Sequence, residues 1–307
     1  MLKKFVDIIH NFFPIAAIFF AIVYLVSIDL SGIEVNVWLF ILSVVLLQIL
    51  FFFRVIIWFL YLKRLDNSLS FRVALVSRFR TILGKYIPGK FWIAVGSGAV
   101  QEKYSNIGFF KGTINALVFQ IINIFTGVLV GLFGVSLSLS TNWKILLQIL
   151  LILSLFFIFV FLSKKRTINL LEKIKYIREK FPVSTYEIPK SIDIFILFIL
   201  QWLLLGMSYF VLFKSAYYDI NPNIILLQPL ANNIGMLSIF TPGGIGVREG
   251  IMVYYLCKSG ILLKEAAILS ILGRLWFIVV EFFSFGIGLF VEKRIPKELL
   301  QKINYIE

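Results

Sequence analysis

Residues 241–250, with the sequence TPGGIGVREG, interrupt a chain that is otherwise built from long apolar runs. Proline removes a backbone hydrogen-bond donor, and each glycine costs about 1 kcal/mol relative to alanine in a helix interior, so a helix must break here. A break at membrane depth is tolerated only inside the protein or beside water. A helix restarting near Ile245 would direct free amide groups and its positive dipole end into the break, which favours an anion. The alternative is a tight loop outside the bilayer, with Arg248 and Glu249 solvated.

The apolar character of the whole chain sets its class. Hydrophobic residues make up 60% of the 307 positions, and the mean hydropathy is +0.95. A soluble fold would expose too much of this apolar surface, so we expect an all-α polytopic membrane protein. The formal net charge of +14 does not indicate nucleic acid, because the basic residues lie between apolar runs. The single cysteine, Cys257, and the single histidine, His10, leave no basis for an internal disulfide or a cysteine or histidine metal cage. We expect no cofactor and no metal ion.

Six apolar runs are long enough to cross a bilayer at about 20 residues per crossing. They cover residues 12–28, 37–62, 107–135, 143–162, 192–213 and 266–291. Two other segments, 71–104 and 222–258, are divided by proline and glycine into pieces too short to span. We expect each to enter the membrane and return as a broken hairpin. For 71–104, an amphipathic helix on the membrane surface is the alternative.

The basic clusters predict the orientation. They follow the second, fourth and sixth spans, at Lys63 to Arg80, at 164–190 and at 293–307. Because basic loops stay in the cytoplasm, we expect a multi-pass protein of the cytoplasmic (inner) membrane with both termini cytoplasmic. The loop 164–190 also has apolar residues at helical spacing, which indicates an interfacial helix that holds anionic headgroups; a binding site for a partner protein is the alternative.

An internal repeat follows from the two breaks. Pro88 and Gly89 precede Pro242 and Gly243 by 154 positions, half of the chain. Each half then has three spanning helices and one broken re-entrant hairpin, and three crossings per unit require the second copy to be inverted. We therefore expect one integral membrane domain over 1–307. Its first repeat covers 1–136, its second repeat covers 137–292 with the cytoplasmic insertion 164–190, and a tail covers 293–307. A chance match of two Pro-Gly pairs is the alternative.

Ionisable residues in apolar context predict the site. Each costs about 2.5–3.5 kcal/mol at a helix centre unless it is paired or hydrated. The predicted substrate-binding residues are Arg248, Glu249, Lys90, Arg54, Pro88, Gly89, Pro242, Gly243, Gly244 and Gly246, and the predicted supporting residues are Arg274, Glu281, Asn115, Gln120 and Asn123. Basic residues outnumber acids in this set, which suits an anionic group such as phosphate.

The individual roles differ within this set. We expect Arg248 to hold the anionic headgroup, Lys90 and Arg54 to add positive charge, and Glu249 to keep the arginine oriented. Arg274 and Glu281 are seven positions apart, so partners on other helices are favoured over a mutual bond. The alternative for these two is a structural role that locks helices together.

The segment Ile87-Pro88-Gly89-Lys90, together with the motif at 241–250, resembles flippase-like membrane proteins related to the transmembrane region of lysylphosphatidylglycerol synthase. The resemblance covers essentially the whole chain. It implies translocation of a lipid between leaflets. In the synthase a separate cytosolic domain attaches the amino acid, and nothing in this sequence resembles that domain, so we do not expect synthase activity.

These observations combine into one functional expectation. We expect flippase-like transport of an anionic phospholipid or lipid-linked intermediate, without covalent chemistry. The alternatives are a non-transporting membrane subunit of a glycan or envelope-lipid assembly pathway, and a membrane-embedded transferase with Glu249 or Glu281 as general base. The expected partners are anionic membrane lipids and, as further candidates, proteins of an envelope glycan or lipid pathway; nucleic acid is not expected.

Overall fold

The computed structural model describes residues 35–87, 91–137, 144–145, 148, 192–216, 219–238, 241 and 244–295. Its bounded elements are α1 (Val37–Lys63), α2 (Phe71–Phe79), a 3₁₀ turn (Ile82–Tyr86), α3 (Trp92–Tyr104), α4 (Phe109–Leu137), α5 (Ile192–Ala216), α6 (Ile224–Leu237), α7 (Val247–Lys258) and α8 (Leu263–Glu292). The protein is all-α over these residues, as predicted.

Four of the helices, α1, α4, α5 and α8, are long and apolar enough to cross a membrane. They confirm the predicted spans 37–62, 107–135, 192–213 and 266–291. The predicted span 12–28 lies outside the described residues, and so does 143–162 except for positions 144, 145 and 148, which are helical. On α1 the exposed side chains include Trp38, Ile41 and Val45. Such a surface is stable against lipid and not against water.

The two divided segments form pairs of short helices. In the first, α2 has 9 residues and α3 has 13; in the second, α6 has 14 and α7 has 12. None of these helices is long enough to span alone. The side chains of α2 are buried from Val73 to Ser77 and at Phe79, on every side of the helix. A helix buried on all sides does not lie on the membrane surface, which argues against the surface-helix alternative for α2. That 71–104 enters the membrane and returns stays a prediction.

The two halves use their elements in the same order, a long helix, two short helices and another long helix. Their packing is also reciprocal: α8 of the second half packs on α2, α4 of the first half packs on α6, and α1 packs along α5. Reciprocal contacts are what an approximate two-fold relation between halves produces. The inversion of the second half, and the boundaries 1–136 and 137–292, stay predictions.

Glycines allow the closest helix crossings. A Cβ atom built on Gly131 of α4 would lie 2.3 Å from Cβ of Leu230 on α6, and one built on Gly206 of α5 would lie 1.8 Å from the carbonyl oxygen of Ile225. Neither position has space for a side chain. Small residues at such crossings let helix backbones approach and pack, which is the main source of helix association within a bilayer.

The side chain of Glu292, the last residue of α8, connects the end of this helix to the first pair of short helices. Glu292 forms a salt bridge with Arg80 at 2.7 Å and accepts a hydrogen bond from the Tyr104 hydroxyl at 3.0 Å. The Lys103 amine lies 3.6 Å from the same carboxylate. Arg80 directly follows α2, and Lys103 and Tyr104 are the last two residues of α3. This network therefore joins α2 and α3 to the end of α8.

Candidate functional site

A cavity of about 110 Å³ lies at the centre of the helices. Every one of the eight helices and the 3₁₀ turn contributes at least one lining side chain. The lining residues are Phe51, Arg54, Arg78, Phe79, Ile82, Lys85, Ile93, Gln120, Asn123, Trp202, Asn232, Met236, Arg248, Phe277 and Glu281. The volume is several times the roughly 10–15 Å³ that one ordered water requires. The cavity is therefore large enough for a polar chemical group.

The break between α6 and α7 is built from tight turns. The amide of Gly244 donates to the carbonyl of Thr241 at 3.1 Å, and the hydroxyls of Ser238 and Thr241 are hydrogen-bonded. Gly244 has φ +74° and Gly246 has φ +84°, a left-handed conformation that side chains disfavour. These two predicted site glycines therefore shape the backbone at the start of α7.

Arg248 is the second residue of α7, and its side chain lines the cavity with only 6% of its surface exposed. Its guanidinium carbon lies 4.7 Å from the Phe277 ring centroid and 5.3 Å from that of Tyr209. The guanidinium also donates a hydrogen bond to the Tyr209 hydroxyl. Gly235 of α6 makes room for it, because a Cβ there would approach the Cβ of Arg248 to 2.9 Å.

Glu249 points away from Arg248. Its Oε2 accepts the Gly246 amide at 2.7 Å, which satisfies one of the free donors at the start of α7, and its Oε1 lies 3.7 Å from Nε of Arg274 on α8. Glu249 is not among the cavity lining. The residue that orients Arg248 is Tyr209 and not Glu249, which corrects the predicted role of Glu249.

Glu281 of α8 is the carboxylate of the cavity and is 1% exposed. It forms a salt bridge with Lys85 and accepts a hydrogen bond from the Tyr86 hydroxyl at 2.7 Å. Both partners belong to the 3₁₀ turn just before the first break. The prediction that Arg274 and Glu281 find partners on other elements is confirmed.

Arg54 of α1 and Arg78 of α2 complete the charged lining. Neither forms a salt bridge with a residue that the structure describes, and Arg54 Nε and Arg78 Nη1 are buried without a hydrogen-bond partner there. Aromatic rings flank both. Arg54 lies over Phe51 and Trp202, and Arg78 lies over Trp58 and Phe119. These guanidinium groups are held by rings and still have unused donors.

The three predicted polar residues of α4 separate into two places. Gln120 and Asn123 line the cavity, and Asn123 also accepts a hydrogen bond from Gln201 at 2.8 Å. Asn115 lies elsewhere: it accepts from the Tyr61 hydroxyl at 3.3 Å and donates to the carbonyl of Lys111 at 2.8 Å. Its role in the structure is to join α1 and α4.

The structure thus brings several predicted residues to one cavity. Arg54, Gln120, Asn123, Arg248 and Glu281 line it, whereas Glu249 and Arg274 form a pair beside Arg248. The predicted residues Lys90, Pro88, Gly89, Pro242 and Gly243 lie outside the described residues.

Two cationic residues of the cavity, Arg78 and Lys85, were not predicted as site residues. The sequence assigned Arg78 to a cytoplasmic basic cluster, and it left Lys85 without a role. A signal for both exists in the sequence. Each lies between apolar residues of a segment too short to span, the same context that pointed to Lys90.

The charge balance of the lining defines its chemistry. Among the described residues of the lining, four cationic side chains, Arg54, Arg78, Lys85 and Arg248, face one carboxylate, that of Glu281. Guanidinium groups bind phosphate and carboxylate oxygens with two parallel hydrogen bonds. The cavity is equipped to bind an anion.

The family described as Lysylphosphatidylglycerol synthase TM region matches residues 12–281 of the chain. The chain belongs to this family. The matched range contains both breaks and every residue of the cavity lining. Membership in the lysylphosphatidylglycerol synthase transmembrane-region family identifies a multi-pass membrane protein whose function concerns membrane lipids. Comparison with curated proteins finds no match, and comparison with solved structures finds none.

Proposed function

We propose that this protein moves an anionic membrane lipid between the two leaflets, with the lipid headgroup bound in the central cavity. The observation that carries the proposal is the charged lining of that cavity. Ionisable residues within spanning helices are costly, and they mark the paths of substrates and ions. Here Arg54, Arg78, Lys85, Arg248 and Glu281 converge from separate elements on one space, and among these described residues only Lys85 and Glu281 pair with each other.

The two unpaired arginines support a binding role over a purely structural one. A structural cation within a membrane protein is expected to have a carboxylate or carbonyl partner. Arg54 and Arg78 have buried nitrogens without such a partner among the described residues. An anionic headgroup would supply the missing acceptors.

The repeated order of elements supports movement. In many transporters, substrate sites lie at the interface between two structural repeats, beside broken helices, and one repeat rocks against the other. The lining agrees with such a site, because it takes residues from both predicted repeats: Lys85 precedes the first break and Arg248 follows the second. We place the protein in the cytoplasmic membrane with both termini and the loop 164–190 in the cytoplasm, as the basic clusters predict.

We propose translocation without covalent chemistry. Glu281, the carboxylate of the described lining, already accepts from Lys85 and Tyr86, and Glu249 lies outside the lining, where it accepts the Gly246 amide and faces Arg274 at 3.7 Å. A general base needs a free lone pair directed at its substrate. Anionic lipids are the proposed partners, and proteins of an envelope glycan or lipid pathway are candidates for a larger assembly.

Reconstitution of the purified protein into liposomes tests the proposal. A fluorescent anionic lipid is placed in both leaflets, and its exchange is followed by quenching from outside with a membrane-impermeant reductant. Exchange well above that of protein-free liposomes supports translocation. A covalently altered lipid would support the transferase instead, and no exchange by the folded protein would leave a non-transporting subunit.

A matched pair of variants on α2 connects exchange to the cavity. Arg78 lines the cavity, whereas Arg72 is exposed outside it. Arg78→Gln should slow exchange, and Arg72→Gln should not. Equal rates for the two variants would detach the activity from this site.

A further inference from the structure

We infer that the cavity selects a phosphomonoester or diphosphate, a group with about two negative charges, over a singly charged phosphodiester, and that it rejects headgroups carrying an ammonium group. This inference rests on the proposed function and names its substrate class. It starts from the charge that remains in the lining after internal pairing.

Pairing removes only one of the four positive charges. Glu281 is bonded to Lys85, so those two groups neutralise each other. Glu249 lies 3.7 Å from Arg274, and both are outside the lining. Three guanidinium groups, those of Arg54, Arg78 and Arg248, therefore face the cavity with no carboxylate of their own in the described lining.

The three arginines share one mode of support. Each guanidinium lies over two aromatic rings, at centroid distances of 5.5 and 5.8 Å for Arg54, 5.3 and 4.9 Å for Arg78, and 5.3 and 4.7 Å for Arg248. Rings hold the flat faces of a guanidinium group and leave the donors at its edge for oxygen acceptors. Aromatic rings thus hold these arginines in place of carboxylates. A carboxylate would compete with an anionic ligand for the guanidinium donors.

A terminal phosphate fits this lining better than a bridging one. A phosphomonoester carries a charge of about −1.5 to −2 at pH 7 and has three acceptor oxygens. A phosphodiester carries a single charge on two free oxygens, so it leaves two of the three guanidinium charges uncompensated. An aminoacylated or choline headgroup would also bring a cation next to three buried arginines, and like charges repel strongly where water is excluded.

The pH dependence of the preference should come from the ligand. In the part of the lining that the structure describes, the ionisable groups are Arg54 of α1, Arg78 of α2, Lys85 of the 3₁₀ turn, Arg248 of α7 and Glu281 of α8. The residues that α3, α4, α5 and α6 contribute do not titrate. A phosphomonoester loses its second charge near pH 6, whereas a phosphodiester does not change between pH 5.5 and 7.5. The ratio of the two rates therefore isolates the charge of the ligand from any titration of the protein.

The test compares three fluorescent lipids in the reconstituted protein: phosphatidic acid, phosphatidylglycerol and phosphatidylcholine. At pH 7.5 we expect phosphatidic acid to exchange at least about ten-fold faster than phosphatidylglycerol, the effect of one charge-assisted hydrogen bond, with phosphatidylcholine at the protein-free rate. At pH 5.5 the ratio of the first two should fall towards one. Equal exchange of phosphatidic acid and phosphatidylglycerol at pH 7.5 would overturn the inference and leave translocation standing.

Two further arms separate the possible failures. Uptake of radiolabelled glycerol 3-phosphate into the same liposomes, without exchange of phosphatidic acid, would support the terminal-phosphate preference but overturn lipid translocation. If neither compound moves and glycerol 3-phosphate does not raise the melting temperature of the detergent-solubilised protein, both proposals are lost. Arg78→Gln should reduce the ratio of phosphatidic acid to phosphatidylglycerol exchange, and Arg72→Gln, on the same helix but outside the cavity, should preserve it.

Discussion

The Tyr209 hydroxyl of α5 accepts a hydrogen bond from Arg248 of α7 and donates one to the carbonyl of Gly273 on α8 at 3.2 Å. One phenol thereby joins three helices around the cavity. Because its proton is directed at Gly273, its lone pairs remain for the arginine. The orientation of the predicted anion-binding residue depends on a tyrosine 39 positions away in sequence.

Removing this hydroxyl tests whether it positions the arginine. Tyr209→Phe keeps the ring below Arg248 and removes only the hydrogen bonds. We expect about ten-fold weaker apparent affinity for an anionic lipid, because a hydrogen bond to a charged group contributes about 1.5–3 kcal/mol. Exchange measured against lipid concentration gives the affinity. Tyr254→Phe, at an exposed tyrosine of α7, is the control and should change nothing.

The proposed headgroup role of Arg248 depends on the planar, forked shape of its guanidinium group. Arg248→Lys retains the charge but loses the planar pair of donors, so exchange should fall about ten-fold; Arg248→Ala should lower it further. Both proteins should still insert and elute as folded species in size-exclusion chromatography. Normal exchange by both variants, or misfolding of both, would contradict the headgroup role.

Much of the fold could be predicted from short-range sequence patterns. Apolar runs of about 20 residues predicted the four spanning helices that the structure describes, and the prolines and glycines near Pro88 and at 241–250 predicted the separation of α2 from α3 and of α6 from α7. These signals are local, since hydrophobic length and backbone chemistry act within one segment. The same holds for Arg248, whose place beside a glycine break is visible in sequence.

The partners of the charged residues were not accessible in this way. Lys85 pairs with Glu281 across 196 positions, and no feature of either segment specifies the other. Arg78 belongs to a basic cluster that was predicted to be cytoplasmic, and the burial of α2 separates it from its neighbours in that cluster. Glu249 is an exception, because its position three residues after Gly246 is a local signal for the capping interaction in which it accepts the Gly246 amide.

The crossing of α5 and α6 at Gly206 should tolerate no side chain. In Gly206→Ala the added Cβ would meet the Ile225 carbonyl, and overpacking of this kind costs about 1–3 kcal/mol. Gly286→Ala is the matched control within α8, because no heavy atom lies within 4 Å of its Cβ position. The first variant should lower the melting temperature in detergent, and the second should leave it unchanged or raise it.

Orientation can be tested with single cysteines in a Cys257→Ser background. A cysteine at Thr167 should react with an impermeant maleimide only after the cytoplasmic side is opened, because the loop 164–190 is predicted to be cytoplasmic. Glu34 lies between the first two predicted spans, so a cytoplasmic N-terminus places it outside, and a cysteine there should react in intact cells. The reverse pattern would invert the proposed topology.

The Lys85–Glu281 pair provides a test of which charges belong to the site. Removing one partner of a buried pair leaves an uncompensated charge and costs about 3–5 kcal/mol, so Lys85→Met and Glu281→Gln should each lower the melting temperature strongly. The double variant should recover much of that loss. The exposed pair Arg64–Asp193 is the control, where such changes cost about 0–1 kcal/mol.

The same double variant separates structure from binding. If Lys85 and Glu281 serve mainly to neutralise each other, their joint removal leaves the three arginines of the cavity in place, and exchange of an anionic lipid should stay within about three-fold of the parent rate, less than the loss of one charge-assisted hydrogen bond. If Lys85 instead separates from Glu281 and binds the headgroup, the double variant should keep its melting temperature but exchange the anionic lipid more slowly than the parent protein. Melting temperature and exchange rate measured on one preparation distinguish these outcomes, because only a headgroup contact would lower the rate without lowering the stability.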